Sequence, residues 1–350
     1  MITKIISEDM IRKVATYIEK GEHFVITAHV APDGDAMGSS LGLYHFLLQY
    51  GKDNVTVILP NEYPQFYTWM PGAKEIVIYD KYKEFADELI NKADVIFCLD
   101  FNDAKRVGKM SDSLLAAEGR KVMIDHHLDP SDFCRLTISY PEISSTSEMI
   151  FRLICRMGHF ELMTKTIAEC IYTGMMTDTG SFTYNSNNPE IYTIICELVK
   201  KGINKDLIYR KVNQTSSVMR LRLMGYVLYE KMLILPEYKT AIITLSRVEQ
   251  ERFNYKPGDS EGFVNLPLGI DGIEFSVFIR EKYDHQKISL RSVGDFPCNT
   301  FAGKFFNGGG HKNASGGEFY GSAKAALSIV KKGLATINPN KIENNETINQ

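Results

Sequence analysis

The feature that most constrains the fold of this 350-residue chain is a regular alternation of short hydrophobic runs with helical segments over residues 1–197. Each run is rich in Val and Ile and is bounded by polar or turn residues, which is the pattern of a buried strand. The intervening segments, such as 39–50 and 84–92, have helical periodicity. Strands that alternate with helices predict an α/β domain with a doubly wound, mainly parallel sheet. The predicted strands lie in HFVITAHV, NVTVILP, EIVIYD, VIFCLDF and KVMIDHH.

The rest of the chain follows a different pattern. Asn188 followed by Pro189 indicates the start of a helix, and residues 198–235 are predicted to be a helical linker. That linker is locally basic, so it is either a solvated connector or the wall of a cleft that faces an anionic substrate. Residues 236–337 predict a smaller α/β domain with a mixed sheet and a last helix over 323–332, and residues 338–350 form a polar tail. The predicted strands of this domain are KTAIITLS, FVNLPLG, IEFSVFIRE and KISLRS.

Composition narrows the class of protein. Lys and Arg total 40 against 43 Asp and Glu, a formal net charge of −3, which argues against a protein that coats long nucleic acid. No apolar run reaches the ~18–20 residues that span a bilayer, and charges interrupt the first two dozen residues where a secretory signal would lie. The expected location is the cytoplasm, with no membrane partner. The six cysteines are dispersed without a C-x-x-C pair, which argues against disulfides and structural zinc.

Acidic and imidazole side chains follow several of the predicted strands. Ligands of such sheets bind at the carboxyl ends of the strands. The first group is His29 with Asp33 and Asp35, in a loop between a strand and a helix. Carboxylates two residues apart repel each other unless a cation neutralises them. The alternative is that either aspartate alone caps the following helix.

Three further elements complete the pattern. Asp100 follows VIFCL, the triplet Asp125-His126-His127 follows KVMI, and Asp178 follows an apolar helical stretch. Asp100 and Asp178 are weak signals singly, since a lone aspartate at the end of a strand or helix is often a turn residue. Adjacent histidines behind an aspartate are stronger, because His is the commonest metal ligand and a carboxylate can orient it. An oxygen-rich set with imidazole and no thiolate suits Mn²⁺ or Mg²⁺. It is too large for one ion and suits two about 3.5–4 Å apart, as in phosphoester hydrolysis.

In order and context, these motifs resemble those of the DHH phosphoesterase superfamily. That superfamily includes RecJ-type exonucleases, family II pyrophosphatases, cyclic-dinucleotide phosphodiesterases and nanoRNase/pAp phosphatases. The block Gly308-Gly309-Gly310-His311, followed by ASGG at 314–317, resembles the signature of the DHH-associated domain. The resemblance covers about residues 20–335. It implies that residues 1–197 form the catalytic domain and that 236–337 form the substrate-binding domain.

The resemblance also implies a role for each residue of these motifs. Two Mn²⁺ ions, with Mg²⁺ as the alternative, would share Asp100 as a bridging ligand. Asp125 would support the ligands from behind, and His127 would face the substrate to stabilise phosphoryl oxygens or assist the leaving group. The ligands of one ion would be His29, Asp33 and Asp100, and those of the other would be Asp35, Asp100, His126 and Asp178.

The glycine block and two arginines are candidates for substrate binding. The block does not have P-loop spacing. It is either an ordinary glycine-rich turn, or a place where backbone N–H groups of Gly308, Gly309 and Gly310 approach a phosphate, with His311 as a further donor. Arg280 and Arg291 lie on flanking strands. Each is either a bidentate phosphate ligand or an ordinary surface arginine.

Within the superfamily, the length and the GGGH block favour the compact two-domain type. Such a protein hydrolyses short oligoribonucleotides to mononucleotides and 3′-phosphoadenosine 5′-phosphate (pAp) to AMP. A stand-alone cyclic-di-AMP or pApA phosphodiesterase is the alternative, and a non-catalytic nucleotide-binding regulator is an alternative of another class. The near-neutral charge fits the short RNA or pAp substrate that the resemblance implies, because such a substrate needs few phosphate contacts, and it argues against a long duplex partner. A homodimer is left open.

Overall fold

The computed structural model describes residues 3–337, and its contacts divide the chain between Thr215 and Ser216 into two units. This division falls inside the range 198–235 that the sequence predicts as a linker. The domain limits and their roles remain predictions. The predicted polar tail at 338–350 lies outside the described residues.

A six-stranded parallel sheet forms the centre of the N-terminal unit. Its strand order is β3-β2-β1-β4-β5-β6, and every neighbouring pair is parallel. The order reverses between β1 and β4, so the crevice for a ligand is expected at their carboxyl ends. The predicted doubly wound α/β fold is therefore confirmed, although LTIS at β6 was not among the predicted strands. The strands are β1 (His23–Thr27), β2 (Asn54–Leu59), β3 (Val77–Ile78), β4 (Val95–Leu99), β5 (Arg120–Asp125) and β6 (Leu136–Ser139).

Helices cover both faces of this sheet. Alternate strand residues point to opposite faces, so Phe24 and Phe97 join one buried core while Val25 and Ile96 join the other. The first core packs against α1, α2, α5 and α6, and the second against α3 and α4. Burial on both faces explains why these strands are continuous Val/Ile runs. The helices are α1 (Glu8–Lys20), α2 (Gly34–Gln49), α3 (Lys83–Lys92), α4 (Ser111–Ala116), α5 (Thr146–Arg156), α6 (Lys165–Asp178), α7 (Pro189–Lys200) and α8 (Lys205–Asn213).

Two of these helices, α2 and α6, cross at very short range. A Cβ atom at Gly38 of α2 would lie 2.6 Å from the Cys170 carbonyl oxygen and 2.8 Å from Gly174 Cα in α6. Only glycine permits this approach. The crossing fixes the start of α2 relative to α6, and both helices carry predicted ligands.

The C-terminal unit contains a second six-stranded sheet, in the order β11-β12-β10-β9-β8-β7. The β8–β9 pair is parallel and the other neighbouring pairs are antiparallel, as predicted for a mixed sheet. One face packs against α11 and α12, and the other against α9. The elements are α9 (Val218–Tyr226), β7 (Met232–Leu235), β8 (Thr240–Leu245), α10 (Arg247–Arg252), β9 (Phe275–Glu281), β10 (Gln286–Ser292), α11 (Cys298–Phe305), β11 (Gly309–Gly310), β12 (Ala314–Phe319) and α12 (Ala323–Ile337).

One predicted strand of this unit is wrong. FVNLPLG forms a 3₁₀ helix over Phe263–Gly269. Pro267 has no N–H to donate to a sheet. Val264 and Pro267, three residues apart, are both buried, which is the repeat of a 3₁₀ turn.

Helix boundaries agree with the local signals. Pro189 is the first residue of α7, and the Asn188 side chain accepts a hydrogen bond of 3.0 Å from the Glu190 N–H, as predicted. The last helix extends beyond its predicted end, to Ile337. Within residues 3–337, no helix combines the length and the apolar character that crossing a membrane requires.

Candidate metal centre

The predicted ligands meet at the carboxyl edge of the parallel sheet. His29 lies two residues beyond the end of β1, Asp100 directly follows β4, and the Asp125-His126-His127 triplet is at the end of β5. The two helices that cross closely supply the rest, because Asp33 and Asp35 lie at the start of α2 and Asp178 is the last residue of α6.

A first group of side chains surrounds His29. Its Nε2 atom is 3.4 Å from Asp100 Oδ2 and 3.9 Å from Asp33 Oδ1. One ligand atom from each of these three residues lies within 4.8 Å of the others. This spacing suits donors around a single cation.

A second group surrounds His126. Its Nε2 atom is 3.4 Å from Asp178 Oδ2, 3.5 Å from Asp100 Oδ1 and 3.8 Å from Asp35 Oδ2. Asp100 therefore belongs to both groups, with Oδ2 towards His29 and Oδ1 towards His126. A carboxylate in this position can bridge two cations.

Backbone carbonyl groups set the tautomers of both histidines. His29 Nδ1 donates to the Val30 carbonyl oxygen at 2.8 Å, and His126 Nδ1 donates to the Ile143 carbonyl oxygen at 3.1 Å. Because a carbonyl only accepts, Nδ1 carries the proton in each ring. Each ring therefore presents Nε2 to the carboxylates, the arrangement of a metal-binding histidine with its outer hydrogen bond in place.

The electrostatics of the cluster favour a cation. Burial, reinforced by the charges of Asp100 and Asp178, raises the pKa of Asp35 well above its usual range, and burial raises the pKa of Asp178 to about 6. Burial opposes ionisation of Asp100, but hydrogen bonds with His126 and His29 hold its pKa well below the usual value. Three carboxylates thus compete for positive charge in a buried site, and a divalent cation relieves that competition.

The donor set fits a hard divalent cation. It consists of carboxylate oxygens and imidazole nitrogens, without a thiolate in any of the groups found among the described residues. In addition, Asp125 Oδ2 is buried without a hydrogen-bond partner. Such an atom is costly to bury unless charge nearby compensates it.

Asp125 and His127 form a separate pair beside the two groups. Asp125 is fully buried, and its Oδ1 atom accepts a hydrogen bond of 2.8 Å from His127 Nδ1. His127 Nδ1 is also 3.8 Å from Asp100 Oδ1. The carboxylate fixes the orientation and tautomer of a partly exposed imidazole, which is the arrangement of a general acid or base.

The loop that carries the first ligands is held in an unusual conformation. Ala31 has φ 54°, its N–H donates to Asn61 Oδ1 at 2.7 Å, and the Val30 N–H donates to the Arg106 carbonyl oxygen at 2.8 Å. Asp100 also has a left-handed backbone, with φ 63°. Strain of this kind in non-glycine residues persists where surrounding contacts enforce it, often at functional sites.

The capping alternative for Asp33 is also realised. Its Oδ1 atom accepts hydrogen bonds of 3.0 and 3.1 Å from the N–H groups of Asp35 and Ala36, at the start of α2. The cap and the proximity to His29 coexist in one side chain. Capping therefore does not exclude a role as a ligand.

The sequence did not point to one segment that touches this cluster, residues 143–148. The Thr146 N–H donates to Asp35 Oδ2 at 2.6 Å, the Ser147 N–H donates to Asp35 Oδ1 at 2.8 Å, and the Thr146 hydroxyl donates to Asp100 Oδ1 at 3.1 Å. The local signal is Ser145 followed three residues later by Glu148, a pattern that predicts a helix start. It does not reveal which distant carboxylates the segment meets.

The predicted arginines lie on one face of the second sheet, since Arg291 pairs with Ser276, which lies four residues before Arg280 on β9. Arg280 is buried, donates to the Tyr255 hydroxyl and stacks over its ring. Arg291 is half-buried and donates to the Leu290 carbonyl oxygen at 2.9 Å.

The glycine block forms a tight antiparallel turn. Gly309 and Gly310 make up β11 and pair with β12, while the His311 N–H donates to the Ala314 carbonyl oxygen at 2.8 Å. Gly310 has φ 133°, and a Cβ at Gly308 would clash with the backbone of β12. Close packing thus explains two of the glycines, and their role in binding remains a prediction.

Comparison with known proteins agrees with this architecture. Residues 23–175 match the model of the DHH family N-terminal domain, and residues 238–335 match that of the DHHA1 domain. The bifunctional oligoribonuclease and PAP phosphatase NrnA of Thermus thermophilus is 31% identical, over 85% of this chain and 84% of that protein. The chain belongs to the DHH family.

Two further proteins are similar to this chain over most of its length. The NrnA protein of Bacillus subtilis, which has the same description, is 27% identical over 89% of this chain and 93% of its own length. A crystal structure described as an exopolyphosphatase-related protein from Bacteroides fragilis is 59% identical, with a TM-score of 0.91 over 97% of this chain and 99% of that chain.

Proposed function

We propose that this protein is a metal-dependent phosphoesterase that hydrolyses short oligoribonucleotides to mononucleotides and pAp to AMP. The observation that carries the proposal is the pair of carboxylate–imidazole groups that share Asp100 at the carboxyl edge of the sheet. The described activities of the two NrnA proteins, which align over most of this chain, support the substrate class.

The two groups would divide the proposed ligands between two cations. We favour Mn²⁺ at both positions, with Mg²⁺ as the alternative, because oxygen and imidazole donors without thiolate suit these ions. When bound, the pair of cations activates a water molecule and neutralises charge on the phosphoryl group. One position would take His29, Asp33 and Asp100, and the other would take Asp35, Asp100, His126 and Asp178.

His127 would act on the substrate directly. Its Nδ1 atom is committed to Asp125, so its Nε2 edge is the one that can serve a phosphoryl or leaving-group oxygen. From that edge the ring would donate a hydrogen bond, or a proton, as the bond to the leaving group breaks. Asp125 would keep the imidazole in the required tautomer, because its carboxylate accepts from Nδ1 throughout.

Substrate selectivity would come from the C-terminal unit. Cations and an activated water act on many phosphoesters, so discrimination requires contacts away from the reacting bond. A guanidinium can hold a phosphate through two parallel hydrogen bonds, and backbone N–H groups of a turn can do so as well. The residues proposed for this role are Arg280, Arg291, Gly308, Gly309, Gly310 and His311.

The experiment must distinguish the proposed function from three alternatives. The same centre would serve a cyclic-di-AMP or pApA phosphodiesterase, and a protein that binds nucleotides without turnover would use the same fold. The description of the Bacteroides fragilis protein as exopolyphosphatase-related adds inorganic polyphosphate as a substrate to compare.

The test is turnover by the full chain after exhaustive chelation and readdition of Mn²⁺ or Mg²⁺. Substrates are pAp, RNA oligomers of two to five nucleotides and one about 24 nucleotides long, pApA, cyclic-di-AMP and polyphosphate. We expect no activity in chelator, recovery with Mn²⁺, and the highest kcat/KM for pAp and the shortest RNAs. Full activity after metal removal would refute the metal-dependent mechanism. A clear preference for cyclic-di-AMP, pApA or polyphosphate would refute the substrate assignment.

A further inference from the structure

We propose that Thr146 is a positioning residue, whose hydroxyl group sets the orientation of the Asp100 carboxylate and thereby the affinity of the centre for divalent cations. The proposal rests on the proposed function, since Asp100 is there the ligand common to both cations. Thr146 itself is not one of the proposed metal ligands.

The Thr146 hydroxyl is well placed for this role. It belongs to a fully buried residue and donates to Asp100 Oδ1 at 3.1 Å. A carboxylate that bridges two cations must direct one oxygen to each, so rotation about its Cβ–Cγ bond weakens both. The hydrogen bond to Oδ1 opposes that rotation, while Oδ2 remains directed towards His29, 3.4 Å away.

The same segment also holds a ligand from each of two other elements. Asp35, on α2, accepts from the N–H groups of Thr146 and Ser147. His126, after β5, donates to the Ile143 carbonyl oxygen. Residues 143–148 therefore contact three proposed ligands that come from three parts of the chain, and the Thr146 hydroxyl contacts Asp100, the ligand that both cations would share.

A buried ionic network fixes the segment itself. Glu148 Oε2 accepts from the N–H and hydroxyl groups of Ser144 at 3.2 and 2.5 Å, and Glu148 Oε1 accepts from Arg152 Nε and Nη2 at 2.8 and 2.7 Å. Arg152 Nη2 also contacts Glu190 Oε2 at 2.8 Å. Both Glu148 and Arg152 are almost fully buried. Breaking a buried ion pair leaves a charge buried without a partner, which is costly, so this network resists local rearrangement.

The hydroxyl group and the backbone N–H group of Thr146 bind different carboxylates, Asp100 and Asp35. Outer hydrogen bonds to metal ligands typically change metal affinity or activity by about 10- to 100-fold when removed. The backbone N–H of Thr146 is available to Asp35 whatever the side chain is. The side-chain hydroxyl and the backbone can therefore be separated by substitution.

The experiment compares Thr146→Val, which keeps the shape and removes the hydroxyl, with Thr146→Ser, which keeps the hydroxyl and removes the methyl group. Mn²⁺ binding to the full chain is measured by titration calorimetry without substrate, and kcat and KM for pAp are measured at saturating Mn²⁺. We expect Thr146→Val to weaken Mn²⁺ binding about tenfold or more and to lower kcat with little change in KM. Thr146→Ser should restore most of both. Thr173→Val is the matched control, because within residues 3–337 the one described hydrogen bond of the buried Thr173 hydroxyl is to the Glu169 carbonyl oxygen of its own helix.

The outcomes separate the proposal from the proposed function. If Thr146→Val binds Mn²⁺ as the unsubstituted protein does, or if Thr146→Ser is impaired as strongly as Thr146→Val, the hydroxyl does not position Asp100 and the proposal is wrong. If the unsubstituted protein binds Mn²⁺ but hydrolyses no phosphoester, the proposed function fails while the comparison of affinities still decides the role of Thr146. Thermal melts in chelator identify any variant that has lost its fold.

Discussion

At the scale of single residues, Asp100 is the point on which the candidate centre depends. Its two oxygens face different histidines, and its left-handed backbone, with φ 63°, places the carboxylate directly beyond β4. Asparagine tolerates that backbone conformation better than most residues. Asp100→Asn therefore isolates the loss of the charge from any change in the chain path.

We expect Asp100→Asn to lower kcat by at least about a thousandfold, since it weakens charge stabilisation at both cation positions together. Metal content, measured by elemental analysis of the dialysed protein, should fall below one ion per chain. The melting temperature in chelator should change by less than about 3 °C, because volume is kept and one of several crowded negative charges is removed. Asp206→Asn, at an exposed residue paired with Lys205, is the control and should change none of these quantities. Retention of two ions by Asp100→Asn would contradict the bridging role.

The adjacent histidines should have different functions although they are neighbours in sequence. His126 presents Nε2 to three carboxylates, while His127 is bound through Nδ1 to Asp125. We expect His126→Gln to lose bound Mn²⁺, whereas His127→Gln should retain it and lose about 10²- to 10⁴-fold in kcat, as for removal of a general acid. Equilibrium dialysis with Mn²⁺ and steady-state kinetics measure the two effects. Equal loss of metal from both variants would mean that His127 is a ligand as well.

At the scale of secondary-structure elements, the close crossing of α2 and α6 determines where the proposed ligands on those helices lie. Asp35 is three residues before Gly38 on α2, and Asp178 is four residues after Gly174 on α6. Any side chain at Gly38 would meet backbone atoms of α6, and backbone cannot move aside as a flexible side chain can. The helices would have to separate, and the ligands would separate with them.

Gly38→Ala should therefore lower the melting temperature by about 3–10 °C, the range expected for overpacking in a unit of this size, and should also weaken Mn²⁺ binding. Gly225→Ala is the matched control, because Gly225 lies in α9 with no atom within 4 Å of an added Cβ. Alanine is the better helix former, so this variant should be unchanged or more stable. Differential scanning calorimetry and Mn²⁺ titration measure both quantities. A Gly38→Ala protein with unchanged affinity would show that the crossing distance does not control the centre.

The elements differ in how well the sequence predicts them, and the reasons are physical. The central strands are buried on both faces, so their hydrophobic runs are unmistakable and were predicted. LTIS at β6 is short and lies at the sheet edge, where burial alternates, and its weak pattern was missed. FVNLPLG is as hydrophobic as a strand, but Pro267 and the three-residue spacing of its buried positions favour a 3₁₀ helix.

The residues of the candidate centre also differ in how well the sequence predicts them. Each predicted ligand follows a strand or flanks a helix, so topology alone predicts that most of them share one edge of the sheet. Thr146 lies in a run of serines and threonines whose local signal is only a helix start. Its contact with Asp100 connects residues 46 positions apart and depends on how α5 docks, which no local pattern specifies.

At the scale of the whole molecule, the proposed functions are divided between the two units. All proposed metal ligands belong to the N-terminal unit, and all proposed substrate-binding residues belong to the C-terminal unit. Substitutions in the N-terminal unit should therefore change the rate of hydrolysis for every substrate, whereas substitutions in the C-terminal unit should change the preference among substrates. Arg291 is suited to test this, because within residues 3–337 its guanidinium makes no described ion pair and its one described hydrogen bond is to the Leu290 carbonyl oxygen. The Arg291 guanidinium could therefore bind a phosphate without first breaking an ion pair with a carboxylate.

We expect Arg291→Ala to lower kcat/KM for pAp and 5′-phosphorylated dinucleotides by about 10- to 100-fold, the loss that follows when a hydrogen bond to a charged group is removed. Hydrolysis of bis-p-nitrophenyl phosphate, which lacks the distant phosphate, should fall less than about threefold. Arg247→Ala removes a surface arginine paired with Glu251 on α10 and should leave both substrates unaffected. The deciding quantity is the ratio of the two losses within Arg291→Ala. A ratio near one would assign Arg291 to the fold or to the metal centre, because a residue that recognises the remote phosphate can affect only the substrate that carries it.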